Sequence, residues 1–268
     1  MNPRSLHVEQ RLRTRIHPTA IVDPSAEIGR GVVIGPYAIV EGDARIGRET
    51  VIDAHAFVGP HTVLGERNRL HHGAVVGSEP QDLKFSGDVS YTVVGDGNTF
   101  REYSTVNRGT TTGEVTRIGN GCFVMAYAHV AHGCEIGNSV ILANSVNLAG
   151  HVVLEDHVVI GGLSGVHQFV RMGAHAMVGG CSRVTQDVAT YALVAGSEVR
   201  VAGVNVVGLR RRGFKASDVR AIKAAYRVIF RSNLTLDAAI DRLRSEEPHP
   251  VVLPLIEFLA NGERGFIR

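Results

Sequence analysis

Residues 16–40 read IHPTAIVDPSAEIGRGVVIGPYAIV, and the spacing of their aliphatic side chains decides the architecture. Ile16, Val22, Ile28, Ile34 and Val40 stand six apart, and the run continues unbroken through Ile46, Ile52, Val58, Leu64, Leu70 and Val76. After an interruption the phase returns at Val94, Phe100 and Val106, then holds from Ile118 to Val184. Four places after most of these aliphatics comes a small or β-branched residue, as at Ala20, Ala26, Val32, Ala38 and Ala44. An α-helix turns every 3.6 residues or so and cannot keep one face at this period. A short strand plus a turn can, with the aliphatic and the small residue pointing inward and Gly or Asn accepting the corner's backbone angles. Three hexads close a triangular coil of about 18 residues, and stacked coils pair their strands about 4.8 Å apart. The spacing therefore predicts an all-β parallel β-helix over residues 16–200.

The periodicity also marks what is not coil. Residues 77–91 and 107–117 are polar and rich in turn formers, so they read as loops projecting from the solenoid, where binding function commonly sits. Beyond residue 200 the hexads give way to helical spacing, and residues 201–268 read as a C-terminal α-helical domain. Ser217 is placed to cap a helix carrying Ala221, Ile222, Ala225, Tyr226, Ile229 and Phe230, and Thr235 to cap a second that Pro248 and Pro250 stop. A third covers Leu255 to Leu259. This domain would close the end of the solenoid, whose last coil otherwise exposes its strand edges. Residues 1–15 form an N-terminal extension, expected to be disordered or to reflect a misassigned start.

Composition narrows the function classes. With 44% hydrophobic and 20% charged residues the chain is not a disordered polymer, and 31 Gly, no Trp and 6% aromatics suit a thin core of small and β-branched side chains. Residues 1–209 carry 16 basic and 19 acidic side chains, whereas residues 210–268 carry 12 and 7, so the tail is the basic part. A basic tail suits an acidic partner or an anionic ligand. Cys122, Cys134 and Cys181 are odd in number and show no CxxC pair, which supports neither a disulfide framework nor a zinc ribbon. No apolar stretch reaches the roughly 18 residues of a membrane helix, and Met1 to Arg15 has no signal-peptide core, so a cytoplasmic protein is expected. The pairs Gly29-x-Gly31, Gly95-x-Gly97 and Gly119-x-Gly121 lack the third glycine of a dinucleotide fingerprint and fall at coil corners.

Coil length selects candidates among the 13 histidines. Residues about 18 apart share a place on successive coils, which puts His132, Gly150 and Gln168 in one column, with His151 and His167 beside it and His129 three residues before His132. Imidazoles, an amide and a glycine backbone N–H form a plausible acid/base and oxyanion constellation. Clustered histidines also suit a metal, but no thiolate or carboxylate in the sequence obviously completes a zinc set, and none is assigned.

The segments Ala128 to His132, Asn144 to His151, Gly161 to Phe169, Gly173 to Cys181, Gly203 to Asn205 and Leu209 to Phe214, with the loop Pro80 to Lys84, resemble those of the UDP-N-acetylglucosamine O-acyltransferases of lipid A biosynthesis. The resemblance runs from Ile16 to Arg268. It implies a left-handed β-helix, although ordinary crossover rules favour the opposite hand. It also implies a homotrimer with sites between subunits, and transfer of a 3-hydroxyacyl chain from acyl carrier protein to the glucosamine 3-hydroxyl of UDP-N-acetylglucosamine. On this resemblance His132 is the general base and the Gly150 amide the oxyanion donor. Asp82 and Lys84 meet the glucosamine. His129, His151, His167 and Gln168 contact the sugar nucleotide or acyl chain, Asn205, Arg211 and Arg212 lie near the uridine and phosphates, and Gly180 sets acyl length. No cofactor, metal or nucleic acid is expected. Two departures stand out. Many relatives place an acid directly after the base, where this chain has Gly133, so either another acceptor holds the second ring nitrogen or the base is less well fixed. Asn107 stands where some relatives have His. The alternatives are the pathway's N-acyltransferase, a hexapeptide metalloenzyme of the carbonic-anhydrase kind and a purely structural solenoid.

Overall fold

The computed structural model describes residues 13–196, 198–262 and 264–268. From Arg15 to Val184 the chain runs through short strands, most of two residues, separated by tight corners, and each strand pairs in parallel with one in the next coil, as Ile16 does with Ile34 and Ile34 with Ile52. Among the described residues the strands fall into sheets of eleven, nine and eight, and neighbours in a sheet are almost everywhere three strands apart in sequence. This is the triangular parallel β-helix that the hexads predict.

The hexad aliphatics fill the interior. Ile34, Ile52, Leu70, Phe100 and Leu142 are buried one above another behind the eleven-stranded face, and each contributes about 1.5–3 kcal/mol by leaving water. The small-residue positions let the corners close, with Ala38, Ala56 and Ala74 fully buried. Where that position is polar it is satisfied internally: Asn68 Oδ1 accepts from the Asn98 amide at 2.9 Å, and Asn98 Oδ1 accepts from the Cys122 amide at 2.7 Å. Many corners hold a non-glycine residue at positive φ, such as His55 (59°) and His151 (59°). That conformation costs about 1–2 kcal/mol per residue. Inter-coil hydrogen bonds offset it, as when the His151 amide donates to the His132 carbonyl at 3.0 Å.

The two insertions are shorter than their polar stretches suggest, because strands Val75–Ser78, Tyr91–Val94, Thr105–Asn107 and Val115–Ile118 reach into them. What projects is 79–90 and 108–114. At the other end the last strand, Arg200–Val204, turns back antiparallel onto Ala192–Ala195, so the sheet extends past residue 200. Helices Val206–Arg211, Ala216–Arg231, Leu236–Ser245 and Leu253–Ala260 follow. They close the solenoid through Arg171, which pairs with buried Asp187 at 3.0 Å and donates to the Phe258 carbonyl at 3.2 Å. Thr235 caps as expected, accepting from the Ala238 amide. Ser217 does not cap. The helix begins at Ala216, and the Asp218 carboxylate takes the Lys215 amide at 2.8 Å, a charged acceptor being the stronger partner for an orphan N–H at a helix start. The second helix ends at Ser245, ahead of Pro248 and Pro250 as expected, and Pro250 opens a short 3₁₀ turn. Arg15 belongs to the first strand, and the remainder of the N-terminal extension, up to residue 12, lies outside the described residues. Among the described residues no helix is long and apolar enough to cross a membrane.

Candidate active site

The corner between the nine- and eight-stranded faces collects most of the candidates. His129 lies on a strand of the nine-stranded face, where its Nδ1 meets the Thr105 hydroxyl at 2.7 Å. His132 follows at the corner, with Gly150 on the next coil and Gln168 on the one after. The His132 ring lies over Gly150: a Cβ on Gly150 would sit 2.6 Å from Cε1 and 2.7 Å from Nε2. That contact, rather than a positive φ, demands glycine at position 150. His151 stands edge-on to His132 at 4.9 Å between centroids and stacks flat on Phe169 at 4.9 Å and 4°. His167 and Gln168 are exposed at the same corner, with His167 Nδ1 3.2 Å from the Gln168 carbonyl.

Among the described residues the Gly150 amide donates to no protein group. Gly150 shares its hexad position with Pro18, Pro24, Pro36 and Pro60, residues that have no N–H, so the coil does not need that donor. Elsewhere at this position an outside side chain takes the amide, as Asp156 Oδ1 takes the Asn138 N–H at 2.6 Å. Among the described residues Gly150 has no such partner, and the residue lines a groove of about 480 Å³. Asn107, His129, Asn147, Gly165, His167 and Arg183 line that groove along the nine-stranded face. The Asn107 amide group donates to the Ser78 hydroxyl at 2.9 Å and the Glu79 carbonyl at 2.7 Å, while its buried Oδ1 has no protein partner.

The projecting loops bring carboxylates. Asp82 Oδ2 lies 3.6 Å from His132 Nε2, and Asp82 Oδ1 accepts from the Lys84 amide at 2.9 Å, leaving Lys84 exposed at the loop tip. Glu114 Oε1 lies 3.4 Å from His151 Nδ1. Burial and the neighbouring His151 hold the His132 pKa below its usual 6.5, against the opposing pull of Glu114 and Asp82. His132 is therefore neutral near pH 7, the form a general base requires. Burial lowers His129 as well. Cys134, just beyond the base, is buried, its thiol pushed up to about 12 by desolvation, and it donates to the Ala149 carbonyl at 3.2 Å. It is not an activated nucleophile.

Four predicted residues are elsewhere. Asn205 caps the helix Val206–Arg211, accepting from the Gly208 amide at 3.0 Å and donating to the His175 carbonyl at 2.9 Å. Arg212 reaches the His157 carbonyl at 3.4 Å, and Arg211 is exposed beside it. His157 and His175 form the corner between the eight- and eleven-stranded faces, so this group stands on a different edge of the prism from His132. Gly180 is exposed at the third corner and stacks on Gly162. Sequence reasoning missed Asn147 and Arg183, although the spacing that linked His132 to Gly150 also links His129, Asn147, Gly165 and Arg183 in register. It also missed Phe169 and Glu114, the latter with no signal to find it.

A triangular coil built on a six-residue repeat is the architecture of the hexapeptide-repeat proteins, and the model of the bacterial transferase hexapeptide repeat matches residues 116–150. A second model, UDP N-acetylglucosamine O-acyltransferase domain 2, matches residues 187–267. Over 261 residues the chain is 46% identical to the acyl-[acyl-carrier-protein]–UDP-N-acetylglucosamine O-acyltransferase of Burkholderia orbicola, covering 95% of this chain and all of that one. The solved UDP-N-acetylglucosamine O-acyltransferase of Moraxella catarrhalis superposes with a TM-score of 0.90 at 42% identity, covering 94% and 99% of the two chains. That from Bacteroides fragilis superposes at 0.91 with 36% identity, covering 94% and 100%. The chain belongs to the UDP-N-acetylglucosamine O-acyltransferase family. Its fold is that family's left-handed β-helix, since a coil of opposite hand could not superpose so closely.

Proposed function

We propose that this protein transfers a 3-hydroxyacyl chain from acyl carrier protein to the glucosamine 3-hydroxyl of UDP-N-acetylglucosamine, the first step of lipid A biosynthesis, with His132 as general base. The observation that carries this reading is the His132 ring, its pKa held below 6.5, lying over a groove-lining glycine whose amide has no acceptor among the described residues. His132 takes the hydroxyl proton as the sugar oxygen attacks the thioester carbonyl. The Gly150 N–H donates to the resulting oxyanion, and collapse expels the carrier thiolate, which recovers the proton from His132. No acyl-enzyme forms and no cofactor or metal takes part.

Asp82 and Lys84 would meet the glucosamine, and His129, His151, His167 and Gln168 the sugar nucleotide or acyl chain. Asn205, Arg211 and Arg212 would serve the uridine and phosphates, and Gly180 the end of the acyl chain. One substrate cannot reach three corners of a solid prism. The assignment therefore requires a homotrimer in which neighbouring copies bring these corners together, and its setting would be the cytoplasm. The test is acyl transfer from carrier protein to UDP-N-acetylglucosamine and to its 3-amino analogue, run with wild type and His132→Ala after chelation. Turnover on the hydroxyl acceptor, lowered roughly 10²- to 10⁴-fold in the folded variant, is expected. Normal turnover by His132→Ala, or strong preference for the amino acceptor, would overturn the reading.

A further inference from the structure

Gly133 leaves a gap beside the base, and the structure shows what fills it. A Cβ on Gly133 would lie 2.5 Å from Glu114 Oε1 and 2.4 Å from His151 Nδ1, so the space a side chain would take at position 133 is already occupied by a carboxylate from the loop 108–114. That carboxylate is fixed. Its Oε2 accepts from the backbone amides of Thr110 and of Thr111, the latter at 3.2 Å, and the side chain is only 17% exposed. The loop is tied down in turn, because the Glu114 carbonyl accepts from the Tyr91 amide at 2.9 Å and the Gly109 carbonyl from the Ser90 hydroxyl at 2.6 Å. With Oε2 engaged, Oε1 meets His151 Nδ1 at 3.4 Å, and a Glu114 carboxylate oxygen and one ring nitrogen each of His132 and His151 lie within 4.8 Å of one another. His132 Nδ1 is buried with no hydrogen-bond partner, a position that benefits from a nearby negative charge when the ring is protonated.

We propose that Glu114 is the positioning carboxylate of this site, holding His151 through Nδ1 and orienting His132, and that it works only because position 133 is glycine. The proposal rests on His132 being the base. Glu114 touches no reacting atom; it acts through the two rings. Glu114 and Gly133 then form one interdependent pair, in which a carboxylate carried on the loop does the work of one carried on the coil. Gly133 has φ of 64°, a conformation that Asp tolerates better than most residues, so the carboxylate can be moved there experimentally. The atoms that Gly133→Asp would crowd belong to side chains. Once Glu114 is shortened, His151 has room to give way.

The experiment compares Glu114→Gln, Glu114→Ala, Gly133→Asp and the double variant Glu114→Ala/Gly133→Asp with wild type and His132→Ala, measuring kcat, KM, melting temperature and the pH profile of kcat/KM. Glu114→Gln keeps an oxygen for the two amides and removes the charge, so it should fold. It should lower kcat roughly 10- to 100-fold with KM little changed. The groups facing His132 are Asp82 and Glu114 from the loops and His129 and His151 from the coils. Loss of the Glu114 charge removes one stabiliser of the imidazolium, so the acidic limb should move to lower pH. Gly133→Asp should lower the activity of wild type yet raise that of Glu114→Ala, an opposition of sign that a merely structural role would not give. If Glu114→Gln keeps wild-type kcat and pH profile while His132→Ala is inactive, the proposal fails alone. Normal turnover by His132→Ala would instead remove the base on which it rests.

Discussion

Gly150→Ala adds one methyl group at the centre of the site, and the structure fixes where it goes. Gly150 has an ordinary negative φ, so alanine adopts its backbone without strain, but the new Cβ would stand 2.6 Å from His132 Cε1 where ordinary contact begins at 3.4 Å. The ring must therefore retreat by about 0.8 Å, outward into the groove, and a misplacement of about 1 Å can cost on the order of 10² in rate. Alanine keeps the amide N–H, which separates displacement of the base from loss of the oxyanion donor. The expected result is a fall in kcat of roughly 10- to 100-fold, or about 1.4–2.7 kcal/mol of barrier, with the melting temperature nearly unchanged. Gly42→Ala is the control. It occupies the same hexad position at the same corner on a lower coil, and its Cβ would meet nothing nearer than the Ser25 hydroxyl at 3.1 Å. Initial rates of acyl transfer with carrier-protein thioester, read beside melting curves for both variants, make the comparison. A Gly150→Ala enzyme within threefold of wild type would mean that the working base does not sit where the structure places His132.

Gly180→Met should fold, since the residue is exposed and its nearest obstacle is the Gly162 carbonyl at 3.2 Å, and should shift preference from a donor of about 14 carbons to one several carbons shorter, each excluded methylene forfeiting about 0.8 kcal/mol; paired donors in one reaction read this, and an unchanged preference places the ruler elsewhere. Burial lowers His175 to about 4, so in the folded state it resists protonation while the unfolded chain takes it up below about 6.5. Stability should fall as pH drops from about 6.5 to about 4, and His175→Phe, which keeps the stacking on His157, should flatten that slope in urea titrations; an equal slope in both proteins would refute it. Phe100→Ala, a fully buried deletion in the stack of hexad aliphatics, should cost about 3–5 kcal/mol of stability, measured by the denaturation midpoint. Sedimentation should give a trimer, and a monomer with full activity would contradict sites shared between copies.

The coil was legible because its rule is local and repeats. A period of six admits one arrangement in which Ile34, Ile52 and Leu70 share an interior column, and the structure pairs their strands in that register. The helical tail was legible only where one residue dominates. Thr235 precedes its helix and accepts from the Ala238 amide, whereas Ser217 lies inside a helix that begins at Ala216, a start that apolar spacing alone does not fix. The helix Val206–Arg211 is too short for any apolar periodicity, and it forms because Asn205 caps it.

The site divides along the same line. Residues on the coil inherit their positions from the repeat, so counting by 18 brings His132, Gly150 and Gln168 together and, carried one strand back, yields the groove wall of Asn147 and Arg183 as well. Residues on the insertions have no register to inherit. Glu114 leaves the coil's count in the loop after Asn107, yet it returns to meet His151 on a coil more than thirty residues later. A glycine following the base is legible as an absence of side chain, but which carboxylate enters the space is decided by the path of a loop held by Ser90 and Tyr91. The chemistry of this corner therefore depends on a repeat that can be read from the chain and on a loop that cannot, and the two meet at Gly133.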